Sequence, residues 1–213
     1  MSATVISLAD LMSVADIAYD RTMGRWEPDA RGRLARAALT LYAEQGFEQT
    51  TVAEIAARAG LTERTFFRHF TDKREALFDG SEQLPGHLAR AVEQAPPDAS
   101  PLDAVTAALD AMAALVQQNP ERARLRNTVV ATRAELRERE LIKLAETAAA
   151  VAGALRARGV PEPAASLAAE TGVAVFRVSV ARWLAGPGQP DLAGVLHEAL
   201  ASLRDVLATR TRA

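Results

Sequence analysis

Apolar residues recur at helical spacing from about residue 29 onward, and almost nowhere do they alternate. Leu34, Ala37, Ala38 and Leu41 share one face of a first predicted helix, about 29–45. Gly46 follows as a left-handed C′ residue, and Phe47 beyond it can pack back on Tyr42, the apolar contact of a Schellman stop. Thr51-Val52-Ala53-Glu54 reads as a capping box opening a short helix, about 52–58, with Val52, Ile55 and Ala56 turned inward. Ala59-Gly60-Leu61 is a tight turn, and Thr62 caps a third helix, about 63–69. Asp72, with Glu75 three residues on, caps a fourth, which has weak points at Gly80-Ser81 and Pro85-Gly86, where His87 stands beside a predicted bend. Residues 94–101 carry three prolines in eight positions and form a loop. Alanine- and leucine-rich helices follow at about 102–118, 121–133, 135–158 and 164–185. The run 186–190, rich in Gly and Pro, then precedes a last helix at about 191–209. Val173 to Val180 comes nearest to a strand, but helical patterns flank it on both sides, so the chain is predicted all-α.

Composition agrees. Among 213 residues there are 46 alanines and only 5% aromatics, a balance that favours helix over strand. The net charge is -2, so any DNA-binding surface has to be local. The 25 basic residues comprise 23 arginines and two lysines, Lys73 and Lys143, a bias best explained by a GC-rich genome. With no cysteine there is no disulfide, thiolate nucleophile or Cys-ligated metal. No stretch approaches about 18 uncharged apolar residues, and the first ten residues lack a signal peptide's basic flank and apolar core. A cytoplasmic protein with no membrane partner is expected.

Enzyme readings fail on inventory. His69, His87 and His197 are too scattered to ligate a metal together, and no GxGxxG, Walker or GxSxG sequence occurs. No catalytic residue, cofactor or metal is therefore expected, and a helical enzyme is only a distant alternative.

Two short helices joined by a three-residue glycine turn have helix-turn-helix spacing, whose second helix enters the major groove. On that helix Phe66 and Phe70 can face the core while Glu63, Arg64, Thr65, Phe67, Arg68 and His69 remain available. Arg64 and Arg68, one turn apart, could read guanine edges or hold phosphate, and Glu63 could accept from a cytosine amino group. Thr50, Thr51, Thr65, His69 and Lys73 suit phosphate. Residues 29–75 carry eight basic and seven acidic side chains, so charge alone leaves an ordinary solvated bundle standing. The stacked caps and the turn spacing decide against it.

From Arg33-Leu34-Ala35-Arg36-Ala37-Ala38 through Gly46-Phe47 and Thr50-Thr51-Val52-Ala53-Glu54-Ile55-Ala56 to Thr62-Glu63-Arg64-Thr65-Phe66-Phe67-Arg68-His69-Phe70-Thr71-Asp72-Lys73, the chain closely resembles the N-terminal domain of the TetR family of transcriptional regulators. The resemblance implies phosphate contacts at Thr65, His69 and Lys73 and base-facing positions at Glu63, Arg64 and Phe67. The family usually has Leu-Tyr where this chain has Phe66-Phe67, so the tyrosine hydroxyl is missing. Phe67 can offer only apolar contact, for instance to a thymine methyl.

The resemblance also implies a C-terminal helical domain that dimerises through its last two long helices and encloses a ligand pocket. Leu167, Ala174 and Val178, beside the small residues Gly172 and Ser179, and Leu196, Leu200 and Leu203 on a wide apolar face are the expected interface. Met112, Leu115, Val116, Leu125, Val129, Phe176 and Trp183 are the expected apolar pocket lining. Arg177, in an otherwise apolar run, is read as a buried cation paired with Glu170 or with a ligand anion. The expected organisation is an N-terminal extension at 1–24, read as a disordered arm or a start-site artefact, a helix-turn-helix domain at 25–72, and a regulatory and dimerisation domain at 73–213. The expected function is a homodimeric repressor released from a palindromic double-stranded DNA operator by a small-molecule effector. A ligand-independent or protein-responsive regulator is the alternative.

Overall fold

The structure is a computed structural model that describes residues 29–186 and 191–208, so the N-terminal extension lies outside the described residues. The chain divides into a unit of residues 1–30 and a unit of 31–213, and the second holds the helical architecture. All the described elements are helices: α1 (Ala30–Gln45), α2 (Val52–Arg58), α3 (Glu63–His69), α4 (Lys73–Leu77), α5 (Leu84–Glu93), α6 (Pro101–Gln117), α7 (Pro120–Ala131), α8 (Ala134–Ala157), α9 (Ala164–Ala185) and α10 (Leu192–Ala208).

The punctuation of the first third is that of the sequence. Thr51 and Glu54 form the reciprocal capping box, with Thr51 N–H donating to Glu54 Oε2 at 2.8 Å. Those bonds from Thr51 hold the Glu54 carboxyl below its ordinary value. Thr62 accepts from the Thr65 N–H, and Asp72 accepts from those of Arg74 and Glu75. The two glycine stops differ in kind. At α1, Gly46 (φ +91°) donates to Tyr42 O alone, the simpler αL stop rather than the predicted Schellman motif, though Phe47 does fold back on Tyr42 with ring centroids 5.0 Å apart. The full Schellman pair occurs at α2, where Leu61 N–H reaches Ala56 O and Gly60 N–H reaches Ala57 O. It fixes the angle at which α3 leaves α2.

The predicted fourth helix is broken. A turn after Phe78 separates α4 from α5, and Pro85 stands in the first turn of α5, opening a helix rather than bending one. His87, at that start, lies 3.4 Å from Arg90 through Nδ1.

Two apolar cores result. The first joins Leu34, Ala38, Tyr42, Ile55, Phe66, Phe70, Leu77 and Phe78, and it recruits Val129, Val130 and Leu136 from the α7–α8 corner. The second packs α5, α6, α8, α9 and α10 around Val92, Val105, Leu109, Leu155, Val195 and Leu196. By length and composition α9 is apolar enough to cross a membrane, a property the sequence pattern does not assign to any segment. Its buried Ala165, Ala169, Gly172, Val175, Ser179 and Trp183 instead form one wall of the second core.

Candidate nucleic-acid interface

The helix-turn-helix is rigid from within. Phe66 is fully buried and Phe70 nearly so, and their tilted rings lie 5.5 Å apart, anchoring α3 along one side. Its other side carries Glu63, Arg64, Phe67 and Arg68, all exposed, at spacings that place them on one face. Thr65 and His69 flank that face and are half-buried; the Thr65 hydroxyl lies 3.0 Å from that of Thr62.

The expected phosphate contacts fare unequally. Thr51 is exposed but its hydroxyl is engaged in the α2 cap. Thr50 is only 1% exposed and its hydroxyl donates to Gly46 O at 2.8 Å, so its side chain faces the turn and not a phosphate. Lys73 is the larger correction. Its ammonium donates to three carbonyl oxygens, those of Phe47 (2.8 Å), Thr50 (3.1 Å) and Glu48 (3.3 Å), and lies 4.4 Å over the Phe47 ring. An ammonium has three donors, and all three are occupied by the 47–50 turn. Tyr42 closes the same knot by donating its hydroxyl to Lys73 O, and burial pushes that phenol's pKa well up.

His69 has a different constraint. Its Nε2 is buried and has no hydrogen-bond partner. Desolvation first, then the charges of Arg68 and Arg31, hold the imidazole below its ordinary pKa of 6.5. The unfolded chain then binds this proton more readily than the folded one. Stability is expected to rise with pH across the interval just below about 6.5 and to fall as the pH drops through it. A His69→Gln variant should show a smaller loss of Tm between pH 7.5 and 5.5 than the parent; an equal loss would assign the effect elsewhere.

Beside α3 a cleft of about 570 Å³ is lined by His69, Asp72, Glu75, Glu82, Glu135 and Arg139 among others. Across it the helix-turn-helix part is gripped by the helical bundle. Arg139 Nε donates to Glu75 Oε1 at 2.8 Å, Lys143 Nζ lies 3.6 Å from Glu75 Oε2, and Arg126 covers the Phe78 ring at 4.9 Å. Sequence reasoning does not find this clasp, although Arg139 and Lys143 stand four apart on one helix face.

Of the eight residues expected to line a ligand pocket, Met112 and Phe176 lie together. They border a small apolar cavity of about 20 Å³ between α5, α6, α8 and α9, together with Leu88, Val105, Thr147 and Gly172. The others lie elsewhere: Val129 belongs to the N-terminal core, Leu115 and Leu125 are exposed, Val116 is half-buried outside the cavity, and Trp183 packs under Arg124. Arg177 is exposed, as is Glu170, so no buried cation needs a partner there. Arg177 shares its side of α9 with the exposed Ala174 and Val178, while Val175 and Ser179 face the core.

The expected interface splits likewise. Leu167 and Val178 are each 64% exposed and Ala174 lies between them on the same stripe of α9. Leu196 and Leu200 are buried within the protomer, and Leu203 is half-buried against the same core. Gly172 and Ser179 also face inward, and a Cβ on Gly172 would meet Val105 Cγ1 at 2.5 Å, so the small residues let α9 approach α6.

Residues 34–79 match the family described as bacterial regulatory proteins, tetR family, and residues 99–208, just over half of the chain, match the MftR C-terminal domain. The chain belongs to the TetR family. Among curated relatives, the HTH-type transcriptional regulator TcmR of Streptomyces glaucescens is 38% identical over 82 residues, covering 38% of this chain and 36% of TcmR. TtgR of Pseudomonas putida is 37% identical over 68 residues, covering 30% of this chain and 32% of TtgR. The matched part thus spans about a third of either relative. Among solved structures, the fold is shared with Thermus thermophilus FadR, a TetR-family transcriptional repressor bound to lauroyl-CoA (TM-score 0.55, 23% identity, covering 85% of this chain and 96% of that one). It is shared as well with Bacillus subtilis FadR bound to stearoyl-CoA (TM-score 0.60, 18% identity, covering 81% and 96%).

Proposed function

We propose that this TetR-family chain is a sequence-specific DNA-binding transcriptional regulator acting as a homodimer, a repressor released from a palindromic operator by a small molecule held in its C-terminal bundle. The observation that carries the reading is the exposed face Glu63, Arg64, Phe67 and Arg68 on a short helix locked by two buried phenylalanines and a Schellman turn. A polar face with fixed backbone behind it is what base readout requires.

The dimer is supported by α9, whose most apolar window is only 28% buried within the protomer although it would pass for a membrane span. A second copy covering Leu167, Ala174 and Val178 is the proposed seam, and twofold symmetry then supplies the second half-site about 34–36 Å away.

Effector release is supported by the layout of α8. Leu144, Thr147 and Val151 border the apolar cavity, while Arg139 and Lys143, which precede them on the same helix, hold Glu75 of α4. A ligand that enlarges the cavity would shift α8 and with it the clasp. The apolar lining suits a hydrocarbon moiety, in keeping with the fatty acyl-CoA complexes of the two fold relatives. At about 20 Å³ the cavity admits no such ligand without opening of the bundle, and this favours ligand-independent binding as the second reading. Native mass spectrometry of the purified chain separates the two, a retained small molecule supporting the first.

Binding to selected double-stranded DNA tests the core of the reading. Arg64→Ala is expected to cost about 1–3 kcal/mol and to relax preference at one operator position if the guanidinium reads a base. If Arg64 holds phosphate instead, the loss should be uniform across sequences and the salt dependence should flatten. Unchanged affinity at both low and high salt would remove α3 from the interface.

A further inference from the structure

We propose that Phe67 is a specificity-determining residue that reads the C5-methyl group of a thymine in each half-site, an inference that rests on the DNA-binding reading above.

Phe67 is 56% exposed and is the one aromatic among the exposed large apolar side chains of the described residues. It does not float. Its ring stands edge-on to that of the fully buried Phe66, with centroids 5.5 Å apart and planes at 84°, so one edge is seated and the remainder presents to solvent. Arg64 lies one turn before it, Arg68 next to it and Glu63 four residues back, all exposed. The ring therefore occupies the middle of a polar face that carries both charges, with more than half of its surface left to solvent.

The chemistry of the groove then narrows its target. A phenyl ring has no donor or acceptor, so it cannot bond phosphate oxygens or the polar base edges. The apolar group that the major groove presents is the thymine methyl. With Arg64 and Arg68 on either side suited to phosphate or guanine, the ring is bracketed over the base edges, where a methyl can meet its face.

Deoxyuridine differs from thymidine by that methyl alone. The test begins by selecting an operator from random duplex DNA with the full chain. Each thymine is next replaced, singly and then symmetrically, by deoxyuridine, and affinities are measured for the parent, Phe67→Leu and Phe67→Ala. For the parent, one position per half-site should lose roughly fourfold, the worth of one buried methyl, and about fifteenfold when both half-sites change. Phe67→Leu should keep most of that discrimination. Phe67→Ala should bind thymine and uracil operators alike and should stay folded, with only a small drop in thermal midpoint from the lost edge contact with Phe66. An operator that tolerates uracil everywhere, or a uracil penalty that persists in Phe67→Ala, overturns the inference while leaving the DNA-binding reading in place. Failure to enrich any sequence overturns that reading, and the inference with it.

Discussion

Val178→Glu is expected to leave the protomer folded and to abolish the dimer. Val178 is 64% exposed, so the protomer loses little packing when it changes. In a twofold seam the same residue meets the partner's surface twice, and two carboxylates enter it together. An unpaired buried charge costs about 3–5 kcal/mol, which raises a dissociation constant roughly a hundred- to a few-thousandfold. Sedimentation should report a monomer, circular dichroism an unchanged helix content, and operator affinity should collapse although α3 is untouched. Leu196→Glu is the control, because Leu196 is fully buried in the protomer and the charge should unfold it. A Val178→Glu protein that remains dimeric would move the seam off α9.

Lys73→Met should destabilise the DNA-facing domain rather than weaken its grip on phosphate. Hydrogen bonds to a charged donor contribute about 1.5–3 kcal/mol each, and the three from Lys73 end on carbonyls of one turn, so their effects overlap. A loss of about 3 kcal/mol is expected, or roughly 6–12 °C in Tm for a chain of this size. The slope of affinity against salt should stay the same, whereas a lysine on phosphate would reduce it by about one unit. A normal Tm with a flattened salt slope would return Lys73 to the phosphate backbone.

Lys73 also marks where reading the sequence stops working. The caps at Thr51, Thr62 and Asp72 and the glycine turns at Gly46 and Gly60 are local events, set by residues within six of one another, and the sequence announces each. Helix bounds in the second half are equally local, fixed by proline starts at Pro101 and Pro120 and by the Gly159 stop. Lys73 bonds to carbonyls 23 to 26 positions away, and Arg139 to a carboxylate 64 away. Such contacts depend on how whole helices cross. The same holds for α10, whose apolar face is too wide on paper for one partner yet is largely absorbed by α6 and α9 at Leu192, Val195, Leu196 and Leu200. Which side of an apolar helix faces home is a tertiary fact, and for that reason Arg177 looks buried in the sequence and is exposed in the fold.

The two lysines now acquire a meaning that composition did not suggest. Both stand at the junction: Lys73 under the 47–50 turn, and Lys143, 11% exposed, against Glu75. Every other side-chain cation, histidine aside, is an arginine. Reagents that acylate amines therefore find at most two side-chain targets, and each is sequestered while the junction stays closed. Acylation rate becomes a clock for its opening, one that the arginine-rich surface does not disturb. An enzyme that acetylated either lysine would neutralise a charge that ties the reading head to its own frame.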